Sequence, residues 1–181
     1  VDIQLNGQVM VMTGGWTGDF DEQLIDPANT NPAAQTWRAA MAEALDHIQP
    51  TPRVEPIFRA WTPNPHLAET LAKLEAGEMA SLDKRIASSF SARLESLYER
   101  GPMSEGAPGP FLQPGGILWE VHNTRSGRDY GQLAEALQTY PTEHEVIMPG
   151  SARYRLLGKE RRMIDFPAGA DEVDVYIIEE A

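Results

Sequence analysis

EHEVIMPGSARYRLLG, residues 143–158, opens on two glutamates two positions apart, enters an apolar run, turns at Pro149-Gly150 and resumes as a second strand-like stretch. In a strand, residues i and i+2 project from one face. Glu143 and Glu145 therefore share a face, with His144 between them pointing the other way. Paired acids where a strand begins are most often a solvated edge. Whether these are more depends on what else the chain carries.

The composition narrows the field. The 181 residues favour one domain, and 41% hydrophobic content suffices for a sizeable core. A net charge of −12 opposes a broad phosphate-backbone footprint, which disfavours nucleic acid as a partner. The basic stretch RYRLLGKERR, 153–162, reads as a solvated hairpin. With no cysteine there is neither a disulfide nor a thiolate metal site. No run reaches the ~18 apolar residues of a membrane span, so no membrane partner is expected. The start at Val1 suggests a fragment of something longer, with residues 1–30 a loop-rich segment that includes a short hairpin about Asn6-Gly7.

Further along, Trp37, Met41, Leu45 and Ile48 fall on one stripe and predict a helix from about Pro32, closed by Pro50 and Pro52. RVEPIFRAW, 53–61, reads as a short strand. A second helix follows Asn64-Pro65, with leucines at 67, 71 and 74 and Gly77 as its stop. His47 and His66 read as exposed helix residues. RIASSFS is a strand that hands over at Ser91 to a helix over ARLESLYER. Residues 101–116 are the densest Gly/Pro stretch and predict a long loop. ILWEVH is a strand, SGRDYGQLAEALQTYPT a turn with a short helix, and EVIM, ARYRLL and VDVYII are three more strands. Helices gather early and strands late, an α+β pattern.

Three polar stations interrupt these strands: Arg59 in PIFRAW, Ser89 and Ser91 about Phe90, and Glu143 with Glu145. Each has an ordinary reading: an arginine paired with an acid, a Ser-x-Ser that caps a helix, a solvated acidic edge. Together they form a set suited to one chemistry. An arginine binds phosphate bidentately, a hydroxyl orients an acid, a carboxylate stabilises an oxocarbenium ion as a glycosidic bond loosens, and a second carboxylate deprotonates the incoming nucleophile.

From Pro32 to Ala181 the chain resembles the mono-ADP-ribosyltransferases of the arginine–serine–glutamate class, which include clostridial and actin-modifying toxins and their phage and polymorphic-toxin relatives. The resemblance rests on IFRAW, on SFS at 89–91, on EHEVIMPGSARYRLLG, on the approach ILWEVHNTRSGRDYG and on the terminal VYIIEE. Ala60 stands where the family usually has glycine, and Phe90 where threonine is common.

The resemblance implies an ADP-ribosyltransferase fold: two packed, mostly antiparallel sheets around an NAD cleft, with flanking N-terminal helices, in a single catalytic domain over residues 1–181. It implies NAD as substrate and no metal. Arg59 would hold the NAD phosphates or the adenosine-side ribose, with Ala60 beside the nicotinamide amide. Ser89 would hydrogen-bond the catalytic Glu145, and Ser91 would steady the strand. Glu143 would activate an acceptor arginine. Tyr140 would contact the target from a recognition loop over 127–142, and the Gly/Pro loop after Arg100 would cover the phosphates and nicotinamide, with Arg100 a further NAD-binding residue and Tyr98 a participant. The implied partners are a target protein and an immunity or inhibitor protein that blocks the cleft, and the implied setting is a bacterial toxin or effector, secreted or delivered into a target cell. Two alternatives stand beside this reading: an NAD glycohydrolase with water as acceptor, and a catalytically silent binding module of the same fold.

Overall fold

The computed structural model describes residues 30–61, 65–82, 87–99, 111–129 and 144–181. Its elements are α1 (Pro32–His47), β1 (Ile57–Trp61), α2 (Pro65–Glu75), β2 (Ala87–Ser91), a 3-10 helix (Leu94–Leu97), β3 (Ile117–His122), β4 (Arg128–Asp129), β5 (Glu145–Pro149), β6 (Tyr154–Phe166) and β7 (Gly169–Glu180). The N-terminal hairpin predicted about Asn6-Gly7, Asn64, and the short helix predicted after Asp129 lie outside the described residues.

The helices begin and end where their punctuation requires. Pro32 sits at the first position of α1, where a missing N–H costs nothing, and Gln35 N–H already reaches Asn31 O at 3.0 Å. Gly77 stops α2 with φ +81°, and Glu78 N–H returns to Lys73 O at 2.9 Å, the six-to-one closure that satisfies orphan carbonyls. The helix predicted over ARLESLYER is shorter than expected, a 3-10 turn at Leu94–Leu97. The Ser91 hydroxyl spends itself on Arg93, accepting its N–H at 3.1 Å and donating to its carbonyl at 2.8 Å. That local turn leaves Arg93 extended at the helix entrance without a side-chain cap.

Among the described residues the strands form one hydrogen-bonded sheet of seven, in the order β4-β5-β2-β1-β3-β7-β6, antiparallel except for the parallel β3–β7 pair. The two sheets expected from the family resemblance are joined at one point. β1 and β2 share a single register pair, Phe58↔Ser91, whereas β1–β3 and β2–β5 each pair over five positions. On one side of that junction lies β4-β5-β2, on the other β1-β3-β7-β6.

Among the described residues, strand alternation gives the sheet two packed faces. Ile57, Phe90, Trp119, Val121, Val146, Met148, Tyr176 and Ile178 pack with Leu67 and Leu74 of α2, so this cluster draws on both halves of the sheet. Within it Trp61, Trp119 and Tyr176 pack as tilted rings with centroids 4.8 and 5.3 Å apart. The opposite faces of β1, β3 and β7 supply Phe58, Ala60, Leu118, Val173 and Val175, which pack with Leu97, Leu112, Ile164 and Phe166. The basic stretch at 153–162 is a charged hairpin strand, as expected: Lys159 meets Glu75 at 2.6 Å, and Arg161 meets Asp174 at 3.4 Å.

Candidate active site

The site is built where β2, β5 and β1 meet. Register places Ser91 opposite Glu145 and Ser89 opposite Ile147, so Ser89, Ser91 and Glu145 share a face while Phe90 and Val146 enter the core behind them. Glu145 is 5% exposed, and its Oε1 accepts a hydrogen bond from Ser89 Oγ at 2.6 Å. The entry to β5 is fixed just upstream. His144 has φ +47°, an uncommon left-handed conformation for a side-chain-bearing residue, and its carbonyl accepts the Ala92 N–H at 2.8 Å. The turn after β2 thereby pins the first residue of β5 beside it.

Arg59 lies on the other side of the junction. Its guanidinium carbon is 5.7 Å from the centroid of the Phe90 ring, close enough for a cation–π contact. Its charge also reaches the buried phenol of Tyr154. Burial pushes that phenol well above its ordinary value, Glu180 adds to the rise, and Arg59 opposes it. Beyond Phe58↔Ser91 the two strands part, and a cleft of about 220 Å³ is lined by Arg59, Ala60, Ser89, Phe90 and Ser91, with Ser96, Leu97 and Phe111.

Ser89, Ser91 and Glu145 are thus brought together, and Arg59 and Ala60 join the serines in one cleft. Tyr98 instead packs edge-on against Phe166, centroids 5.7 Å apart, and its phenol is raised by burial and then by Glu95, Glu99 and Asp165. Glu143, Tyr140 and Arg100 lie outside the described residues. Among the described residues no group of three or more His, Cys, Asp or Glu side chains could hold a metal ion. No described helix is long and apolar enough to cross a membrane.

Two features escaped the sequence reading. Phe111 stands 51% exposed in the cleft wall, and its signal was a lone aromatic inside the Gly/Pro stretch. Glu120, 8% exposed in the middle of β3, bonds His122 Nε2 at 2.7 Å and Arg162 Nη1 at 2.6 Å. An acid inside the apolar ILWEVH was the clue to it.

Against solved structures the fold has clear counterparts. Exoenzyme S from Pseudomonas aeruginosa, solved with human 14-3-3 protein beta and carba-NAD, superposes with a TM-score of 0.63 at 16% identity, over 96% of this chain and 72% of that one. Vis toxin, an ADP-ribosyltransferase from Vibrio splendidus, gives 0.64 at 16% identity over 100% and 74%. The chain has the fold of the ADP-ribosyltransferase toxins. The enzymatic component C2-I of the Clostridium botulinum C2 toxin, at pH 6.1, gives 0.65 at 13% identity; all of this chain is covered, but only 44% of that one. No protein-family model and no curated protein matches the sequence. The ADP-ribosyltransferase fold was therefore recoverable from short motifs and three-dimensional shape, where overall sequence similarity fails.

Proposed function

We propose that this chain is the catalytic domain of an NAD-dependent mono-ADP-ribosyltransferase that modifies a target protein on arginine, in the manner of a bacterial toxin or effector. The observation that carries the reading is the Ser89–Glu145 bond at the edge of the cleft that Arg59 also lines. A buried carboxylate held by a hydroxyl and aimed from a rigid strand is a preorganised anion, and such an anion stabilises positive charge developing on a ribose.

In the proposed reaction the bond between the nicotinamide nitrogen and ribose C1′ breaks, its electron pair leaving with nicotinamide. Glu145 stabilises the oxocarbenium character at C1′ and accepts a hydrogen bond from a ribose hydroxyl. Arg59 neutralises phosphate charge as the NAD settles in the cleft. An acceptor guanidine nitrogen then bonds C1′ and gives up its proton to Glu143. The residues that break the first bond lie on β1, β2 and β5, whereas Glu143 enters only at the acceptor step. Water can therefore replace the guanidine, and NAD hydrolysis is the expected background reaction.

The test is incubation of wild-type and Glu145→Gln protein with labelled NAD and a cell lysate. Label on one protein band, released by treatment that cleaves arginine-linked ADP-ribose and absent with the variant, supports the reading. Nicotinamide release without labelled protein favours the glycohydrolase, and neither signal favours a silent module. Glu143→Gln is expected to abolish transfer while leaving hydrolysis in place; equal loss of both would contradict its role.

A further inference from the structure

We propose that Phe90 is a positioning residue for NAD binding, its ring holding the Arg59 guanidinium in place across the joint between the two halves of the sheet; this rests on the reading of the cleft as an NAD site. Arg59 belongs to β1, which runs beside β3 over five register pairs, and Phe90 to β2, which runs beside β5 over another five. The two halves share the register pair Phe58↔Ser91. Extending that antiparallel register by one step sets Arg59 opposite Phe90, at the point where the strands part. Residues opposed in this way project from one face and reach each other through their side chains.

That face is apolar. Phe90 is 3% exposed and packs in the core with Val146 and Met148, and Arg59 alternates along β1 with Ile57 and Trp61 of the same cluster. The guanidinium carbon sits 5.7 Å from the Phe90 centroid, and both residues line the cleft. The face of an aromatic ring carries negative partial charge and attracts a guanidinium. Unlike a carboxylate, it does so without cancelling the cation's charge, so a guanidinium on a ring can still attract phosphate.

β2 therefore serves the cleft from both of its faces. On one, Ser89 donates to Glu145 at 2.6 Å; on the other, Phe90 meets Arg59. The ring takes over where the backbone ladder between the halves ends, and sets where Arg59 stands relative to the strand that orients Glu145. Loss of the ring loosens the grip on NAD and leaves the Ser89–Glu145 bond in place.

The experiment uses the whole chain as wild type, as Phe90→Leu, and with mono-, di- or trifluorophenylalanine at position 90. Leucine keeps an apolar filling without a ring. Each added fluorine drains negative charge from the ring face at nearly constant shape, a change to which packing alone is indifferent. Nicotinamide release is measured without acceptor, and the ring-current shift of the Arg59 side-chain N–H is followed by NMR in NAD-free protein. Phe90→Leu is expected to raise the NAD KM about 3- to 30-fold, the scale of a partly desolvated cation–π contact, with kcat kept within about twofold. The ring-current shift should vanish in that variant, and KM should climb stepwise with fluorination. A KM that rises in Phe90→Leu but stays flat across the fluorinated chains would make Phe90 a packing residue and overturn the proposal. So would a fall in kcat at unchanged KM, or a wild-type Arg59 resonance with no ring-current shift. A folded wild type that releases no nicotinamide would refute the NAD reading alone; the NMR comparison with Phe90→Leu would still decide whether the ring holds the guanidinium.

Discussion

Ser89 Oγ donates to Glu145 Oε1 across 2.6 Å, although the two residues are diagonal on the ladder: Ser89 faces Ile147, and Glu145 faces Ser91. The diagonal matters because a directly opposed serine would lie under the carboxylate's stem. From two positions along, Ser89 reaches the oxygen itself and fixes the carboxylate's rotation.

Removing that hydroxyl should cost catalysis more than stability. A hydrogen bond to a charged group contributes about 1.5–3 kcal/mol, or about 10- to 100-fold in rate if the bond matters at the transition state. Ser89→Ala should therefore slow nicotinamide release by that factor with little change in melting temperature. Steady-state kinetics beside a thermal melt checks it, and an unchanged rate would remove Ser89 from the site.

Arg59 is expected to act through its planar fork as well as its charge, since its guanidinium sits over Phe90. Arg59→Lys keeps the cation and loses both the stacking and bidentate binding. The NAD KM should rise about tenfold, the scale of one lost bidentate contact. A KM indistinguishable from wild type would show that the guanidinium does not touch NAD.

The Glu120 network is a matter of stability. Glu120 is almost wholly buried, and both its oxygens are used, by His122 and Arg162. Arg162→Met leaves a buried carboxylate short of a partner, a loss of about 1–3 kcal/mol, with the lower part expected because the Arg162 side chain is 30% exposed. Adding Glu120→Gln should recover part of it, since an uncompensated charge costs more than an absent pair. Urea unfolding of the single and double variants reads this coupling, and strict additivity would refute it.

Tyr154 sets an alkaline limit. Its phenol is held protonated in the folded chain, chiefly by burial. The folded value lies above the ordinary 10.0, so this contribution to stability is fully present below pH 10 and is lost as pH rises past it. The slope can reach about 1.4 kcal/mol per pH unit. Chemical unfolding between pH 8 and pH 11 should show the decline, and Tyr154→Phe should flatten it. An equal decline in the variant would assign it to other groups.

Much of this site was legible in the sequence because strand parity is a local property. Ser-x-Ser fixes a shared face whatever the tertiary fold, and His144, Pro149 and Gly150 bound the strand that holds Glu145; the parity expected for Glu-x-Glu does not carry over, because β5 begins at Glu145 and His144, at φ +47°, is not extended. The helix boundaries at Pro32 and Gly77 were legible for the same reason: proline at a first helical position and glycine at a left-handed stop act on a single residue's φ. What stayed hidden depends on pairings distant in sequence. Arg128 reaches carbonyls 80 or more residues away, and Glu120 finds Arg162 across the intervening β7. The single joint between the sheet halves at Phe58↔Ser91 could not be read from either strand alone. The short helix after Ser91 was misjudged because leucine spacing outweighed the local turn that the Ser91 hydroxyl makes with Arg93.

Glu145 is the residue on which the functional reading stands, and its amide variant is nearly isosteric, so Glu145→Gln tests it most directly. Wild-type and variant chains are incubated with NAD, without acceptor, and free nicotinamide is measured over time. Steady release by wild type and at least about 100-fold slower release by the variant, at an unchanged melting temperature, is the expected result. Equal release by both chains, or none from a folded wild type, would contradict the assignment of Glu145 as the carboxylate that cleaves NAD.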